Sequence, residues 1–320
     1  MDTDPAAIQR AVAVLRSGGL VAFPTETVYG LGADALNADA VRAVFALKGR
    51  PAKNPLIVHV ADIAGARRIV AEWPPIAQTL CEEFWPGPLT LVLRSGPSIP
   101  REVTGGSPNV AVRCPDHPIA IALLRSFGGP VVAPSANPSG FVSPTTAAHV
   151  REGFPHADLL VLDGGPCRAG IESTVLSLAT TPPSILRTGA LPVEDLREFI
   201  PDVREATDSA SGLLDAPGRL PSHYAPHAPV VLIDAPHLRT RNIPAGSCAL
   251  LMSSDYPDEP GVTVIAMPTD PLAYAARLYA ALREADARHP AAIYVERPES
   301  TGGLWTAIHD RLRRAGAPRG

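Results

Sequence analysis

The segment PAAIQRAVAVLRSGGLVAFP, residues 5–24, decides the architecture. Ile8, Ala11, Val12 and Leu15 recur at helical spacing, Gly18-Gly19 stops the helix, and LVAFP begins a strand. The alternation continues outward from there. ADAVRAVFALKG and PIAQTLCEEFW read as helices, and NPLIVHV, LTLVLR and NVAVRC as strands. Helix PIAIALLRSFG leads to strand PVVAPSA, TTAAHVREGF to DLLVLD, and STVLSL with SILRTG close the set. Strands repeatedly interleaved with helices predict an α/β sheet covered on its faces, built from about 200 residues.

Between Glu198 and Pro229 the apolar periodicity fails and Pro, Ser, Asp and Gly dominate, which predicts a linker. Beyond it VVLID, SCALLMS and AAIYVE read as strands, and DPLAYAARLYAALREADAR and GLWTAIHDRLRRAG as helices. The expected organisation is a unit over 1–203, a linker over 204–228 and a smaller α/β unit over 229–320.

Composition narrows the function. The 28 basic and 32 acidic residues give a net charge of −4, so nothing global favours nucleic acid or a membrane surface as partner. No apolar run reaches the ~18 residues of a membrane span, and the N-terminus MDTDPAAIQR is acidic where a secretory signal is basic and then apolar. A cytoplasmic protein is expected. Cys81, Cys114, Cys167 and Cys248 form no CxxC, which argues for buried thiols rather than a zinc ribbon or a disulfide framework.

Five segments carry polar groups suited to chemistry. PTETVYGLG, residues 24–32, crowds Thr25, Glu26, Thr27 and Tyr29 at a strand end, where open α/β sheets bind ligands; a hydroxyl-capped turn uses the same residue types. KGRPAKNPLIVH, residues 48–59, sets Lys48, Arg50 and Lys53 beside Asn54. One cation would compensate a helix C-terminus, whereas three suit a polyphosphate. His59 lies within an apolar strand, as a core histidine or a ligand contact. Arg113, ending the strand Val110-Ala111-Val112, needs an anionic partner from protein or ligand. In APSANPSGFVSPT, residues 133–145, Ser135, Asn137, Ser139 and Ser143 surround a Gly140 loop able to approach a phosphate. GIESTVLSL and ILRTGA add Glu172, Ser173, Thr174 and Arg187. No GxSxG elbow or GxxxxGK[ST] accompanies them, so neither an acyl-serine hydrolase nor a P-loop NTPase is indicated.

Taken together and in order, PTETVYGLG, KGRPAKNPLIVHV, WPGPLTLVL, VAVRCPDHPIA, APSANPSG, ESTV and LRTGA closely resemble the YrdC-like threonylcarbamoyl-AMP synthase family. Its KxR and SxN pairs stand here as Lys48 with Arg50 and Ser135 with Asn137. The linker APGRLPSHYAPHAP and the α/β segment after it look like the longer, two-domain form. The resemblance implies an open twisted sheet with a deep basic cavity, then a small Rossmann-like domain whose linker lies over the cavity mouth.

It also implies the reaction: threonine and bicarbonate form a carbamate that attacks the α-phosphate of ATP, releasing pyrophosphate and threonylcarbamoyl-AMP. A separate transferase complex passes the group to a tRNA adenosine beside the anticodon. Carried over by position, Thr27, His59, Arg113, the backbone at Ala133 and Ser173 would surround threonine. Arg50, Asn54, Asn109, Ser135, Asn137, Ser143, Arg187 and Tyr224 would hold ATP, with Lys48 and Arg50 as the catalytic cations. Mg²⁺ would be held mainly by the nucleotide, with no protein ligand assigned. The linker departs from relatives in carrying Arg219, Leu220, Pro221 and Ser222 where a basic, aromatic stretch often precedes His223 and Tyr224.

Two rivals remain at this level. Carbamoyl-adenylate formation, as in hydrogenase maturation carbamoyltransferases, goes with CxxC zinc motifs and an acylphosphatase segment, neither of which is present. An RNA-binding or ribosome-assembly module using a basic cavity is disfavoured by the acidic net charge.

Overall fold

The computed structural model describes residues 4–205, 224–238, 243–252 and 260–318. The chain opens with α1 (Pro5–Arg16), β1 (Val21–Phe23), β2 (Gly30–Asp34), α2 (Ala38–Lys48), β3 (Ile57–His59), α3 (Ile63–Arg67) and α4 (Pro75–Phe84). It continues through β4 (Leu89–Arg94), α5 (Arg101–Thr104), β5 (Asn109–Arg113), α6 (Pro118–Phe127), β6 (Val131–Val132) and α7 (Ala147–Gly153). Next come β7 (Leu160–Val161), β8 (Thr174–Ser177), β9 (Ser184–Arg187), α8 (Val193–Arg197) and β10 (Arg204–Glu205). The second unit holds β11 (Val230–Asp234), α9 (Ala235–Leu238), β12 (Cys248–Leu251), β13 (Thr263–Ala266), α10 (Pro271–Asp286), β14 (Ile293–Arg297) and α11 (Leu304–Ala315).

Local chemistry starts the elements where the sequence marks them. Asp4 Oδ1 accepts the Ala6 N–H at 2.9 Å and Pro5 occupies the first turn, so α1 begins capped and pre-organised. Asp270 and Pro271 repeat the device at α10. The paired strands form a mixed, twisted ten-stranded sheet in the order β10-β9-β8-β4-β5-β3-β6-β2-β1-β7. A separate four-stranded sheet is parallel throughout, in the order β11-β14-β12-β13, so β14 is inserted between β11 and β12 of a Rossmann-like α/β unit.

Three differences from the sequence reading matter. Residues 30–32, the end of the polar segment PTETVYGLG, belong with Ala33 and Asp34 to β2, which lies between β1 and β6. Strand β13 and the short helices α3, α5 and α8 have no counterpart in the sequence pattern. The first sheet runs on through Arg204 and Glu205, and residues 206–223 of the expected linker, including Arg219, Leu220, Pro221, Ser222 and His223, lie outside the described residues.

Alternation along the strands creates the site. One face of the large sheet packs Val44, Leu80, Val150 and Leu196 from α2, α4, α7 and α8 into the main core. On the other face α1 and α6 cover only Val21, Phe23, Val131 and their neighbours. Val131 lies opposite His59, so the uncovered part of that face continues across β3 and β5. There Ile57, Val92, Ala111, Val175 and Leu186 form a small apolar floor to which no described helix contributes. The second unit roofs this region. Val28, Val142 and Ile171 from loops of the first unit share one buried cluster with Tyr224 and with Tyr274, Leu278, Tyr279 and Ile308 of α10 and α11.

Candidate active site

Above the floor lies a cavity of about 50 Å³. His59 and Arg113 face each other across the β3–β5 register and both line it, as do Thr27, Ala133 and Ser173. These are the five positions expected around threonine. The Arg113 guanidinium is fixed on three sides. Nη1 donates to Thr27 Oγ1 at 2.9 Å, Nε donates to the Gly87 carbonyl at 3.2 Å, and Nη2 lies 2.6 Å from Glu26 Oε1 without the alignment of a hydrogen bond. The anionic partner demanded by this buried arginine is therefore already supplied by the protein. A guanidinium has five N–H donors, so two remain for a ligand carboxylate. Thr27 is held in turn by Thr25, whose Oγ1 lies 2.8 Å from Thr27 Oγ1 and closes the turn at Val28.

His59 is buried, and its Nδ1 has no hydrogen-bond partner among the described residues. Burial, then the neighbouring Arg113 charge, push its pKa down to about 3, so the imidazole is neutral at physiological pH. A folded-state pKa below the ordinary 6.5 contributes stability that is complete above pH 6.5 and lost as pH falls towards 3. His59→Gln should flatten the decline of unfolding free energy between those limits, measured by urea titration at several pH values. His149, lowered to about 4 by burial and then Arg283, supplies residual slope of the same sign. An unchanged slope in His59→Gln would show that the histidine is not buried in its neutral form.

The second half of the cavity is cationic. Arg50 donates from Nε to the Asn54 carbonyl and from Nη2 to that of Pro55, at 3.1 and 2.9 Å. Arg187 donates to the Ser173 carbonyl from Nε and Nη2 at 3.1 and 3.0 Å, and from Nη2 to Ser173 Oγ at 3.2 Å. Burial lowers the pKa of both, Arg50 to about 10; the Arg187 charge lowers Arg50 further, and that of Arg311 lowers Arg187. They stay charged at neutral pH, in a wall that favours an anion. Ser135 and Tyr224 complete this wall.

Five expected residues lie outside the lining. Lys48 does not present its ammonium to the cavity: Nζ donates to the carbonyls of Ser135 and Asn137, each at 2.5 Å, and burial with the nearby Arg50 charge holds its pKa well below the ordinary lysine value. Asn137 Nδ2 donates to the Pro138 and Phe141 carbonyls at 2.8 Å. Lys48 and Asn137 thus fix the loop that carries Ser135. Asn54 contributes the carbonyl that holds Arg50. Asn109 shares the sheet face of Arg113 but sits at the other end of β5, about 13 Å along the strand. Ser143 Oγ donates to Glu172 Oε1 at 2.7 Å.

A family model described as threonylcarbamoyl-AMP synthase, C-terminal domain, matches residues 191–317, and one described as telomere recombination matches residues 13–189. A threonylcarbamoyl-AMP synthase of Pyrococcus abyssi is 40% identical over 98% of this chain and 94% of its own length. The chain belongs to the threonylcarbamoyl-AMP synthase family. A Bacillus subtilis member is 44% identical over 76% of this chain and 71% of its own. The crystal structure of P. abyssi Sua5 complexed with L-threonine superposes with a TM-score of 0.87 at 38% identity, over 97% of this chain and 94% of that one. Both the two-unit organisation and the mixed α/β sheet are those of this family.

Within this family frame, the structure gives a place to residues for which the resemblance implied no role. Thr25 and Glu172 line the cavity, and Glu26 engages Arg113. Tyr279 and Arg311 reach Glu172 from the second unit. The first three sit inside recognised motifs. For the last two the amphipathic helices give no signal, because a tyrosine or arginine on a helix face reads as ordinary surface or packing.

Proposed function

We propose that this protein joins L-threonine, bicarbonate and ATP into threonylcarbamoyl-AMP with release of pyrophosphate and water, acting as a nucleotidyltransferase in the modification of tRNA adenosine beside the anticodon. What supports this reading is that one cavity is lined both by Arg113, Thr27 and His59, which suit a carboxylate, and by Arg50, Arg187 and Ser135, which suit a polyphosphate. A relative of 38% identity crystallises with L-threonine, which supports the first half.

In this reading Arg113 grips the threonine carboxylate with its two uncommitted N–H groups, and Ser173 and the Ala133 backbone flank the amino acid. Neutral His59 offers a hydrogen bond without adding charge beside Arg113. Arg50 and Arg187 hold the ATP phosphates and stabilise charge as pyrophosphate leaves; aligned reactants and fixed donors suffice without a covalent nucleophile. Lys48 and Asn137 act by holding the Ser135 loop. The carboxylates Glu26 and Glu172 are both engaged by guanidinium groups, so the cavity fits Mg²⁺ arriving on the nucleotide rather than held by protein ligands. The ion would neutralise phosphate charge.

Tyr224, buried where the described chain resumes after residue 223, stacks on Tyr279 at 5.6 Å between ring centroids and lines the cavity. A cover at this position would exclude water from the mixed anhydride. The product then goes to a downstream tRNA threonylcarbamoyl transferase complex, and no stable nucleic-acid binding of its own is expected. Work in the cytoplasm belongs to the same reading. Among the described residues no helix is long and apolar enough to cross a membrane.

The test is pyrophosphate release from ATP and Mg²⁺ with threonine and bicarbonate, each omitted in turn, with mass spectrometry of the adenylate. Release that needs both substrates is expected. Release without threonine would move the assignment to carbamoyl chemistry, and none at all would leave a binding role.

A further inference from the structure

Glu172 is a carboxylate in the wall of a cavity that is otherwise arranged for anions. Left alone it would repel a polyphosphate and compete for Arg187, whose charge it already feels. Its oxygens, however, are both turned to protein partners. Oε1 accepts from Ser143 Oγ at 2.7 Å. Oε2 accepts from Tyr279 Oη at 3.0 Å and from Arg311 Nε at 2.9 Å. The last two come from α10 and α11 of the second unit.

Arg311 is built for this one position. Its side chain is 0% exposed, and its Nη2 donates to the Thr188 carbonyl at 2.9 Å while Nη1 donates to Asp310 at 2.8 Å. The guanidinium also lies 5.2 Å from the centroid of the Tyr224 ring. One buried cation therefore touches Glu172 in the cavity wall, the loop after β9 and Tyr224, which also lines the cavity.

We propose that Arg311 is a positioning residue through which the second unit makes the cavity competent for ATP: it neutralises Glu172 and holds it off the phosphates, leaving Arg50 and Arg187 for the nucleotide. This rests on the function proposed above and gives the second unit an electrostatic task within it. Removing one partner of a buried pair leaves the other as an uncompensated charge, here beside the phosphate site.

The test uses the full chain and reads the dissociation constant of ATP with Mg²⁺ by calorimetry, with thermal melting as a control for folding. Arg311→Met should weaken ATP binding at least tenfold, and Arg311→Lys, which keeps the charge without the fork, by less. Adding Glu172→Gln to Arg311→Met should return the constant to within about threefold of the parent, because the repelling charge is gone. A purely structural role for Arg311 would not give that recovery. ATP binding unchanged in Arg311→Met, or a folded double variant no better than Arg311→Met, overturns the proposal. If Arg311→Met does not fold, Glu172→Gln alone decides: ATP bound no more weakly than by the parent supports the proposal, and tenfold weaker binding overturns it. The parent's dependence on threonine and bicarbonate is scored separately, so a parent that binds ATP but makes no adenylate sinks the assigned reaction while the charge argument is still read from the binding constants.

Discussion

Arg113→Gln is expected to lose threonine-dependent pyrophosphate release by roughly a hundredfold or more in kcat/KM, and to lower stability by about 3–5 kcal/mol. The two losses have different origins. The catalytic loss comes from the two N–H donors free for the substrate carboxylate. The stability loss comes from Glu26, a carboxylate 2% exposed on its side chain, which would be left buried without the cation now 2.6 Å away. Adding Glu26→Gln should restore most of the unfolding free energy and none of the activity, measured by urea unfolding and by turnover against threonine. Arg113→Lys should likewise recover more stability than activity, since it keeps the charge and loses the fork. Activity recovering together with stability in Glu26→Gln/Arg113→Gln would show that Arg113 is a structural residue only.

The second large effect is expected at Gly170. This residue has φ +71°, and a Cβ there would lie 2.3 Å from the Ala275 carbonyl oxygen and 2.4 Å from Ala276 Cα, both backbone atoms of α10. Neither can swing aside, so Gly170→Ala must separate the units or distort the loop before Glu172. The left-handed conformation costs an alanine about 1–2 kcal/mol and overpacking typically 1–3, giving a loss of about 2–5 kcal/mol. Thermal melting and amide exchange across α10 would register it. Weaker ATP binding should accompany it, because the Arg311 and Tyr279 contacts to Glu172 depend on the same close approach. A variant with the parent's melting point and exchange would show that the units are not held together at this contact.

Much of the architecture is legible in the sequence because it rests on local periodicity. α1, α2, α4, α6, α10 and α11 each carry an apolar stripe, and the strands LTLVLR and NVAVRC are long enough to declare themselves. β2 escapes because its residues GLGAD lack β-branched or large aromatic side chains. The reason is steric: a Cβ at Gly32 would come within 2.7 Å of the Phe23 ring, and one at Gly30 within 3.0 Å of Ala133 Cβ. The strand is kept bare so that its neighbours can pack.

The site is legible wherever a motif carries it. Thr27, Arg50, His59, Arg113, Ser135, Ser173, Arg187 and Tyr224 do meet in one cavity. What motifs do not show is which charge answers which. Arg113 reads equally as a ligand for substrate and as a partner for Glu26, and the fold makes it both neighbour and candidate. Lys48 reads as a phosphate cation until its two carbonyl acceptors are seen. Glu172 and Arg311 are separated by 139 positions, and no local pattern couples them.

That separation bears on how the molecule is made. Synthesis proceeds from the N-terminus, and domains generally fold as they emerge, so the large sheet can assemble while α11 has yet to be translated. Until then the loop bearing Glu172 has neither Arg311 nor Tyr279, and Val28, Val142 and Ile171 have no partners from α10 and α11. A nascent chain at that stage has His59 and Arg113 in place on the sheet but Glu172 without its partners, so the cavity wall is finished by the helices translated last among those described.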